Sequence, residues 1–218
     1  MPLLNSYDVV IFDCDGVILD SNDFKLSAMK NALEDCLVDN VSVERCVDYF
    51  RENFGLSRFH HIDKFVCDLI ENTDSSTLKT NILENYSNYC KKSYSKCDET
   101  PSIRKLLNSV SAKKFVASGS AEDELRNVLD YKELSSYFVA IYGSPKSKTD
   151  IIDNILKSVA PESKVLMIGD SESDFVASKN NNIDFIFYSP FSNVKNIMFD
   201  LSVTEDFLTL SSWEQALL

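Results

Sequence analysis

The sequence is poor in glycine, histidine and positive charge. Its 218 residues include five glycines, two histidines and 22 Lys plus Arg against 34 Asp plus Glu, for a formal net charge of −12. Because excess acid repels a polyanion, no general binding to nucleic acid or to an anionic membrane is expected. A small anion held in a locally positive pocket stays compatible with this charge.

Other absences narrow the chemistry further. Six cysteines never form a Cys-x-x-Cys pair, which argues against a structural zinc site or a thioredoxin-like redox pair. None is followed six positions later by arginine, so the phosphate loop of a cysteine-based phosphatase is missing. The only histidines, His60 and His61, are adjacent, so a histidine-rich metal site and a histidine-relayed triad are not expected.

Segments that direct a protein to a membrane or out of the cell are not apparent either. Residues 1–6 do not combine a charged start with a long apolar stretch. No apolar run approaches the roughly 20 residues of a membrane span. We therefore expect a soluble, cytoplasmic protein without a membrane partner, and the 44% apolar content predicts a substantial apolar core.

The order of apolar patterns predicts an α/β fold. The run Val9-Val10-Ile11-Phe12 is typical of a buried strand, and further strands are predicted at 114–117, 138–142, 165–168 and 185–188. Helical patterns separate these later strands. Repeated strand, loop and helix units predict a doubly wound, Rossmann-like parallel sheet.

Residues 21–97 have a different pattern, with helical periodicity and no convincing strand. Ser57 is a plausible N-cap and Gly55 a plausible C-cap within this stretch. The sequence therefore predicts two domains: a Rossmann-like core of residues 1–20 and 98–218, and an inserted all-helical domain of residues 21–97. The four predicted apolar faces are Leu26, Met29, Leu33 and Leu37; Val43, Cys46, Val47, Phe50 and Phe54; Phe59, Ile62, Val66 and Leu69; and Leu78, Ile82, Tyr86 and Tyr89.

Chemistry-bearing residues gather where the predicted strands end. Four of the five glycines, at 16, 119, 143 and 169, lie just after a predicted strand, at the edge where open parallel sheets bind ligands. Carboxylates brought together there repel unless cations compensate, so a hard divalent cation such as Mg²⁺ and a lysine are expected. The residues beside these glycines are Asp13, Asp15, Ser118, Ser120, Lys146, Lys148, Asp170 and Asp174.

Four motifs occur in a characteristic order: Asp13-Cys14-Asp15-Gly16-Val17, Ser118 after a strand, a lysine before a helix, and Gly169-Asp170-Ser171-Glu172-Ser173-Asp174. Together they resemble the motifs of the haloacid dehalogenase superfamily. Leu19-Asp20-Ser21 resembles the stretch that leads into the helical cap of many members, such as those of the phosphoglycolate phosphatase and β-phosphoglucomutase type. The resemblance implies a Mg²⁺-dependent phosphatase of a small phosphorylated metabolite, for example a sugar phosphate or phospho-acid, with residues 21–97 as the cap.

The resemblance also implies roles for single residues. Asp13 would be the nucleophile that forms an aspartyl phosphate, and Asp15 the general acid that later acts as base. Ser118 and the Gly119 amide would bind phosphate oxygens, and a lysine would neutralise charge. Mg²⁺ would be held by Asp13, the backbone carbonyl of Asp15, Asp170 and Asp174, the last as a ligand or as a support for the ligands.

The sequence leaves several of these residue roles open. Lys148 is favoured over Lys146 as the catalytic lysine, because it immediately precedes a predicted helix. Asp174 could simply cap its helix. Arg58 could contact substrate from the cap, although solvated charges are the more common explanation for polar helix residues. The same holds for His61, which lies one helical turn from Arg58, and for Asn22 and Lys25 on the first cap helix.

Other functions fit parts of the pattern. A phosphomutase of the β-phosphoglucomutase type uses the same motifs, whereas a dehalogenase lacks the second acid, Asp15. A phospho-accepting receiver-like domain also combines clustered Asp with Lys on a doubly wound sheet, but it has no helical insertion. A catalytically silent interaction module is a third class. Either a monomer or a weak homodimer is compatible with the sequence.

Overall fold

A six-stranded parallel sheet forms the centre of the protein. The computed structural model describes residues 3–71 and 75–217. The sheet has the strand order β5-β4-β1-β6-β7-β8, and a separate antiparallel pair is formed by β2 and β3. The strands are β1 Val9–Phe12, β2 Leu19–Asp20, β3 Asp98–Glu99, β4 Lys113–Ala121, β5 Ala140–Ser144, β6 Val165–Gly169, β7 Asp184–Tyr188 and β8 Leu208–Leu210.

Helices surround the sheet and fill the segment between β2 and β3. Short 3-10 turns and one π-helical turn, at Phe65–Leu69, supplement them. The α-helices are α1 Asn22–Glu34, α2 Asn40–Glu52, α3 Arg58–Lys64, α4 Ser75–Ser93, α5 Ile103–Ser109, α6 Glu122–Tyr131, α7 Lys148–Ser158, α8 Glu172–Asn180, α9 Lys195–Glu205 and α10 Trp213–Leu217. Within residues 3–71 and 75–217, no helix combines the length and apolar character needed to cross a membrane.

β1 lies at the point in the sheet where the strand order reverses. It pairs in parallel with β4 on one side and with β6 on the other, so that Phe12 is level with both Val116 and Ile168. Ligands of open α/β sheets bind at such a switch point, beyond the carboxyl ends of the strands. The predicted doubly wound parallel sheet is therefore confirmed, and its crevice lies after β1, β4 and β6.

Side-chain alternation along the strands divides the core around the sheet into two layers. Val10 and Phe12 of β1 pack with Leu166 and Ile168 of β6 in one layer. Val9 and Ile11 pack with Val165 and Met167 in the other. Because successive residues of a strand point to opposite faces, a strand buried on both sides needs the continuous apolar runs that these segments have.

The helices between residues 22 and 93 share an apolar core of their own. This cluster contains residues from α1, α2, α3 and α4 and from the turn after α3, and it accounts for most of the helical apolar periodicity within this segment. Its buried members are Ala28, Met29, Ala32, Leu33, Val43, Cys46, Val47, Phe50, Phe54, Ile62, Phe65, Val66, Ile70, Ile82, Tyr86 and Cys90.

Some local predictions within the helices are wrong. Leu37 does not continue the face of α1, because α1 ends at Glu34 and Leu37 is 92% exposed with φ of 56°. Gly55 does not cap α2, which ends at Glu52 with Asn53 after it. Ser57 is the N-cap of α3, as predicted, since its hydroxyl accepts a hydrogen bond from the His60 amide.

The strands also extend further than predicted. Gly119 and Gly143 lie inside β4 and β5 rather than after them, although the β4–β5 pairing is irregular between Ala117 and Ala121. The chain after Tyr188 forms two further helices and the edge strand β8, none of which was predicted. Residues 1–2 of the N-terminal stretch considered for targeting lie outside the described residues.

Candidate active site

Three carboxylates meet at the crevice beyond β1 and β6. Asp13 directly follows β1, Asp170 directly follows β6, and Asp174 lies in the first turn of α8. All three are buried, and one carboxylate oxygen of each lies within 4.8 Å of those of the others. The fold thus brings together three acids that are far apart in the sequence, because parallel strands end at one edge of the sheet.

Lys148 supplies positive charge to this cluster. It is the first residue of α7, it is buried, and its Nζ lies 2.9 Å from Asp13 Oδ2 while also contacting Asp174 Oδ1. Lys146 is exposed, so the structure brings Lys148 and not Lys146 to the carboxylates. Burial alone would lower the pKa of Lys148, but Asp13 and Asp174 outweigh burial and raise it above its ordinary value.

The carboxylates nevertheless carry more negative charge than one lysine can balance. Burial, which is opposed by Lys148 and reinforced by Asp174 and Asp15, raises the pKa of Asp13 to about 7. Burial and then the charge of Asp13 raise the pKa of Asp170 well above its ordinary value. A further cation is needed to hold both groups ionised.

Asp170 has the character of a metal ligand. Its Oδ2 accepts a hydrogen bond of 2.7 Å from Asn22 Nδ2, whereas its buried Oδ1 has no hydrogen-bond partner among the described residues. A buried carboxylate oxygen is costly to leave without a partner. Because the donors are all oxygen atoms, Asp13, Asp170 and Asp174 fit a hard divalent cation such as Mg²⁺.

Asp174 both caps a helix and takes part in the cluster. Its Oδ2 accepts hydrogen bonds from the hydroxyl and the backbone amide of Ser171, which forms the capping box of α8. Its Oδ1 faces Lys148. The capping role and the charged role that the sequence left open as alternatives therefore coexist in one side chain.

Asp15 lies apart from this cluster and has its own set of donors. Lys25 Nζ is 2.6 Å from Asp15 Oδ2 and Ser120 Oγ is 2.7 Å from it, while Ser21 and Tyr94 donate to Oδ1 at 2.5 and 2.7 Å. Burial would raise the pKa of Asp15, but Lys25 and the hydroxyl donors lower it below its ordinary value. The second acid of the motif is thus held as a carboxylate at a fixed orientation.

Ser118 and Gly119 lie in β4, just beyond the part of this strand that pairs with β1. Ser118 is buried, and its hydroxyl accepts a hydrogen bond of 3.3 Å from the Ser120 amide. A Cβ atom on Gly119 would lie 2.4 Å from the Gly55 carbonyl oxygen and 2.7 Å from that of Leu56. Only glycine therefore allows the loop after α2 to approach so closely.

The loop after α2 and the acids Asp13 and Asp15 border a cavity of about 20 Å³, which has room for about one water molecule. Its walls combine the ends of β1 and β4 with side chains from α1, α2, α3 and α4. The lining residues are Asp13, Asp15, Lys25, Phe50, Phe54, Gly55, Leu56, Arg58, Tyr86, Ser118, Gly119 and Ser120.

The four polar candidates of the helical segment, Asn22, Lys25, Arg58 and His61, are buried, so the explanation of solvated charges is wrong for them. Arg58 is buried, and its guanidinium makes two hydrogen bonds to Glu124, of 2.9 and 2.6 Å. His61 is also buried, with its ring against Phe50, and burial lowers its pKa to about 3. Arg58 lines the cavity, whereas His61 packs against the aromatic rings of Phe50 and Phe65.

The donors around the acids were largely missed from the sequence. Asn22 and Lys25, named only as weak candidates, contact Asp170 and Asp15 directly. Ser21 immediately precedes Asn22 and closely follows the first motif, and this position was the only sequence signal for Ser21. Tyr94 and Ser192 had no sequence signal; Ser192 donates to the Asp170 carbonyl at 2.5 Å. Glu124, which accepts hydrogen bonds from Arg58, had none either.

Comparison with known proteins identifies the family of this chain. Residues 10–188 match the model of the haloacid dehalogenase-like hydrolases. A protein of Caldanaerobacter subterraneus named "Putative pyrophosphatase PpaX" is 24% identical over 185 residues, which cover 80% of this chain and 78% of that protein.

Two solved structures share the fold. One is a phosphoglycolate phosphatase predicted in Haemophilus somnus, with a TM-score of 0.78, 14% identity and coverage of 97% of this chain and 96% of that chain. The other is the magnesium-bound HAD-hydrolase YfnB of Bacillus subtilis, with a TM-score of 0.62, 16% identity and coverage of 84% and 89%.

Proposed function

Because the chain belongs to the haloacid dehalogenase-like hydrolases, we propose that it is a Mg²⁺-dependent phosphatase that hydrolyses a small phosphorylated metabolite. The observation that carries this proposal is the position of Asp13. It lies between a buried lysine and two buried acids on one side, and it lines a cavity that it shares with Asp15 on the other. A nucleophile, an acid and a charge-balancing set thus meet at one small cavity between the sheet and the helical segment.

Asp13 is the proposed nucleophile. Its Oδ1 accepts a hydrogen bond of 2.7 Å from the Cys14 amide, and its Oδ2 faces Lys148, so the carboxylate has one fixed orientation. An Asp13 oxygen forms a bond to phosphorus while the bond from phosphorus to the leaving oxygen breaks, which gives an aspartyl phosphate. Orientation and charge neutralisation supply most of the catalysis of phosphoryl transfer.

Asp15 is the proposed acid and base. Because Asp15 is held as a carboxylate here, it must first take up a proton from the substrate phosphate or from solvent. It donates this proton to the leaving oxygen in the first step, and in the second it accepts one from the water that attacks the aspartyl phosphate. Phosphate is then released and the Asp13 carboxylate is regenerated. Ser118 and the Gly119 amide lie at the same cavity and are the proposed donors to the phosphate oxygens.

Mg²⁺ is the proposed cofactor, held by Asp13, the backbone carbonyl of Asp15 and Asp170, with Asp174 in support. When bound, it supplies the positive charge that three buried carboxylates and one lysine lack, so that a phosphate anion can enter. Lys148 meanwhile neutralises Asp13 and Asp174 through direct contact.

Residues 21–97 are the proposed cap over a core of residues 1–20 and 98–218. The apolar core of this segment is its own, and its loop at Gly55 and Leu56 lies against Gly119. A cap that closes in this way excludes bulk water from the reaction. The magnesium-bound structure of YfnB reveals interdomain movement in that protein, which supports a cap that opens for exchange.

The test is a measurement of phosphate release with and without Mg²⁺ from sugar phosphates, nucleotides, short phospho-acids and an aryl phosphate. We expect Mg²⁺-dependent release, and its loss in the Asp13→Asn variant with the fold intact by circular dichroism. Asp200→Asn, which changes an exposed acid, is the matched control. Full activity in Asp13→Asn would contradict the nucleophile assignment, and isomerised sugar phosphate without phosphate release would indicate a mutase.

A further inference from the structure

Two cations line the cavity beside Asp15, and both already have a carboxylate partner. Lys25 Nζ lies 2.6 Å from Asp15 Oδ2. Arg58, at the start of α3, makes a two-pronged contact with Glu124 in the first turn of α6, and both side chains are buried. Neither cation is therefore free to pair with a charged group on a ligand.

The surroundings of Arg58 keep its guanidinium engaged. Besides Glu124, its Nη1 donates to Ser87 Oγ at 2.8 Å, and its Cζ lies 4.7 Å from the centre of the Tyr86 ring. A planar guanidinium that makes a two-pronged contact and stacks on a ring is firmly oriented. Its buried Nε has no hydrogen-bond partner among the described residues, so one donor remains for an uncharged oxygen acceptor.

The charges around the site do not balance a second anionic group on the substrate. The cavity, its carboxylate cluster and Glu124 together contain five carboxylates and three cations, a difference that one divalent cation balances. Every substrate of a phosphatase already brings a phosphate anion. A further buried negative charge would lack a partner, which is costly. The rest of the wall near Arg58 is apolar, with Phe50, Phe54 and Leu56.

We propose that the Arg58–Glu124 pair selects small phosphate monoesters whose leaving group is uncharged, and that it excludes leaving groups with a carboxylate or a second phosphate. This inference rests on the phosphatase function proposed above. Arg58 on its own would attract an anion, and Glu124 removes that attraction. A small alcohol with a further hydroxyl group is the class of leaving group that adds no charge and can accept a hydrogen bond from the unpartnered Nε of Arg58.

The experiment compares substrates matched in size that differ in the charge of the leaving group. The two pairs are glycerol 3-phosphate with 3-phosphoglycerate, and 2-hydroxyethyl phosphate with phosphoglycolate; inorganic pyrophosphate is the fifth compound. With the full chain and Mg²⁺, we expect kcat/KM to be at least about tenfold higher for the uncharged member of each pair, as like-charge exclusion generally gives.

Variants of the pair provide the decisive contrast. Glu124→Gln leaves Arg58 unpaired, and we expect it to shift the ratio by about tenfold or more toward the anionic member. Arg58→Met leaves Glu124 unpaired and is expected to shift the ratio the other way. The double variant Arg58→Met/Glu124→Leu removes both charges, so it is expected to keep the wild-type ratio. Asp123→Asn, an exposed acid of α6, is the control.

The possible results distinguish a failure of the proposed selectivity from a failure of the phosphatase function on which it rests. Wild-type preference for the anionic members or for pyrophosphate would overturn the inference, and so would an unchanged ratio in a folded Glu124→Gln protein. If Glu124→Gln does not fold, the other two variants still test the inference, since only Arg58→Met is expected to shift the ratio and the double variant is expected to keep it. Absence of Mg²⁺-dependent release from all five compounds and from an aryl phosphate would contradict the phosphatase function itself.

Discussion

Lys148 Nζ lies 2.9 Å from Asp13 Oδ2, and both groups are buried. The same ammonium contacts Asp174, so one cation joins the acid after β1 to the acid at the start of α8. Breaking such a buried contact leaves an unpaired charge, which costs about 3–5 kcal/mol in comparable buried pairs. This ammonium is therefore both a structural and a proposed catalytic group.

Replacement of Lys148 should distinguish its role from that of Lys146 in the preceding loop. We expect Lys148→Met to lower kcat about 100-fold or more, because Asp13 and Asp174 lose their shared cation. Lys146→Met changes an exposed side chain and is expected to stay within about twofold of wild type. Steady-state phosphate release checks both, and equal losses in the two variants would contradict the assignment.

Removal of Mg²⁺ should lower the stability of the wild-type chain. Binding to the folded state alone stabilises it by about 2.7 kcal/mol at a concentration of 100 times Kd, so Tm should rise with Mg²⁺. Asp170→Asn should abolish this rise. In the absence of metal, Asp170→Asn should instead be at least as stable as wild type, since one of the mutually repelling carboxylates is gone.

The Tm measurement needs a variant that leaves the metal ligands unchanged. Asp200→Asn, which changes an exposed acid, should keep both the Tm without metal and its rise on addition of Mg²⁺. A Mg²⁺-dependent rise that survives in Asp170→Asn would place the metal elsewhere.

Lys25 is expected to position Asp15. Lys25→Met removes a contact of 2.6 Å to Asp15 Oδ2 and should lower kcat for alkyl phosphates by about tenfold or more, with a smaller effect on KM. An aryl phosphate, whose leaving group needs little protonation, should lose much less activity. Lys30→Met, on the exposed side of the same helix, is the control. An equal loss for both substrates would indicate a merely structural role.

His61 should make stability depend on pH. Its folded-state pKa is lowered to about 3 by burial, whereas an unfolded histidine has a pKa of about 6.5. Between these values the unfolded chain binds more protons, so this contribution is present above pH 6.5 and is lost as pH falls. The His61 contribution alone lowers the free energy of unfolding by up to about 1.4 kcal/mol per pH unit below pH 6, whereas the raised pKa of Asp13 acts in the opposite direction over this range.

Variants isolate this histidine from other groups that titrate in the same range. His61→Phe keeps an aromatic ring against Phe50 and Phe65, and its stability relative to wild type should increase by about 2 kcal/mol between pH 7 and pH 5. His60→Gln changes an exposed ring and should show no such increase. Urea unfolding at several pH values measures the difference.

The parts of the site that follow buried strands were predictable from sequence, for a physical reason. The apolar run Val9–Phe12 is buried on both faces and ends abruptly in Asp13, so the placement of that acid followed from strand geometry alone. Asp170 after β6 is a second case. Hydrophobic periodicity and turn-forming residues are local properties, so they can be recognised in a single sequence.

Contacts between the helical segment and the sheet were not predictable. Arg58 and Glu124 are separated by 66 residues, and nothing local marks either as buried. Periodicity gives the face of a helix but not what lies opposite, so solvated charges were the better expectation for Arg58. The prediction that Leu37 continues the apolar face of α1 was wrong for a related reason. An apolar residue at helical spacing can lie one turn beyond the end of its helix.

The central position of β1 has a consequence for how the protein is made. Asp13 leaves the ribosome early, but Lys148 follows 135 residues later, and Asp170 and Asp174 later still. The helices between residues 22 and 93 have their own core, so they can become ordered while β6 is unmade. A nascent chain that ends before β6 would hold the proposed nucleophile and much of the cavity wall, yet it could not gather the acids around a metal. Activity in a translation reaction would therefore report completion of the sheet rather than synthesis of the nucleophile.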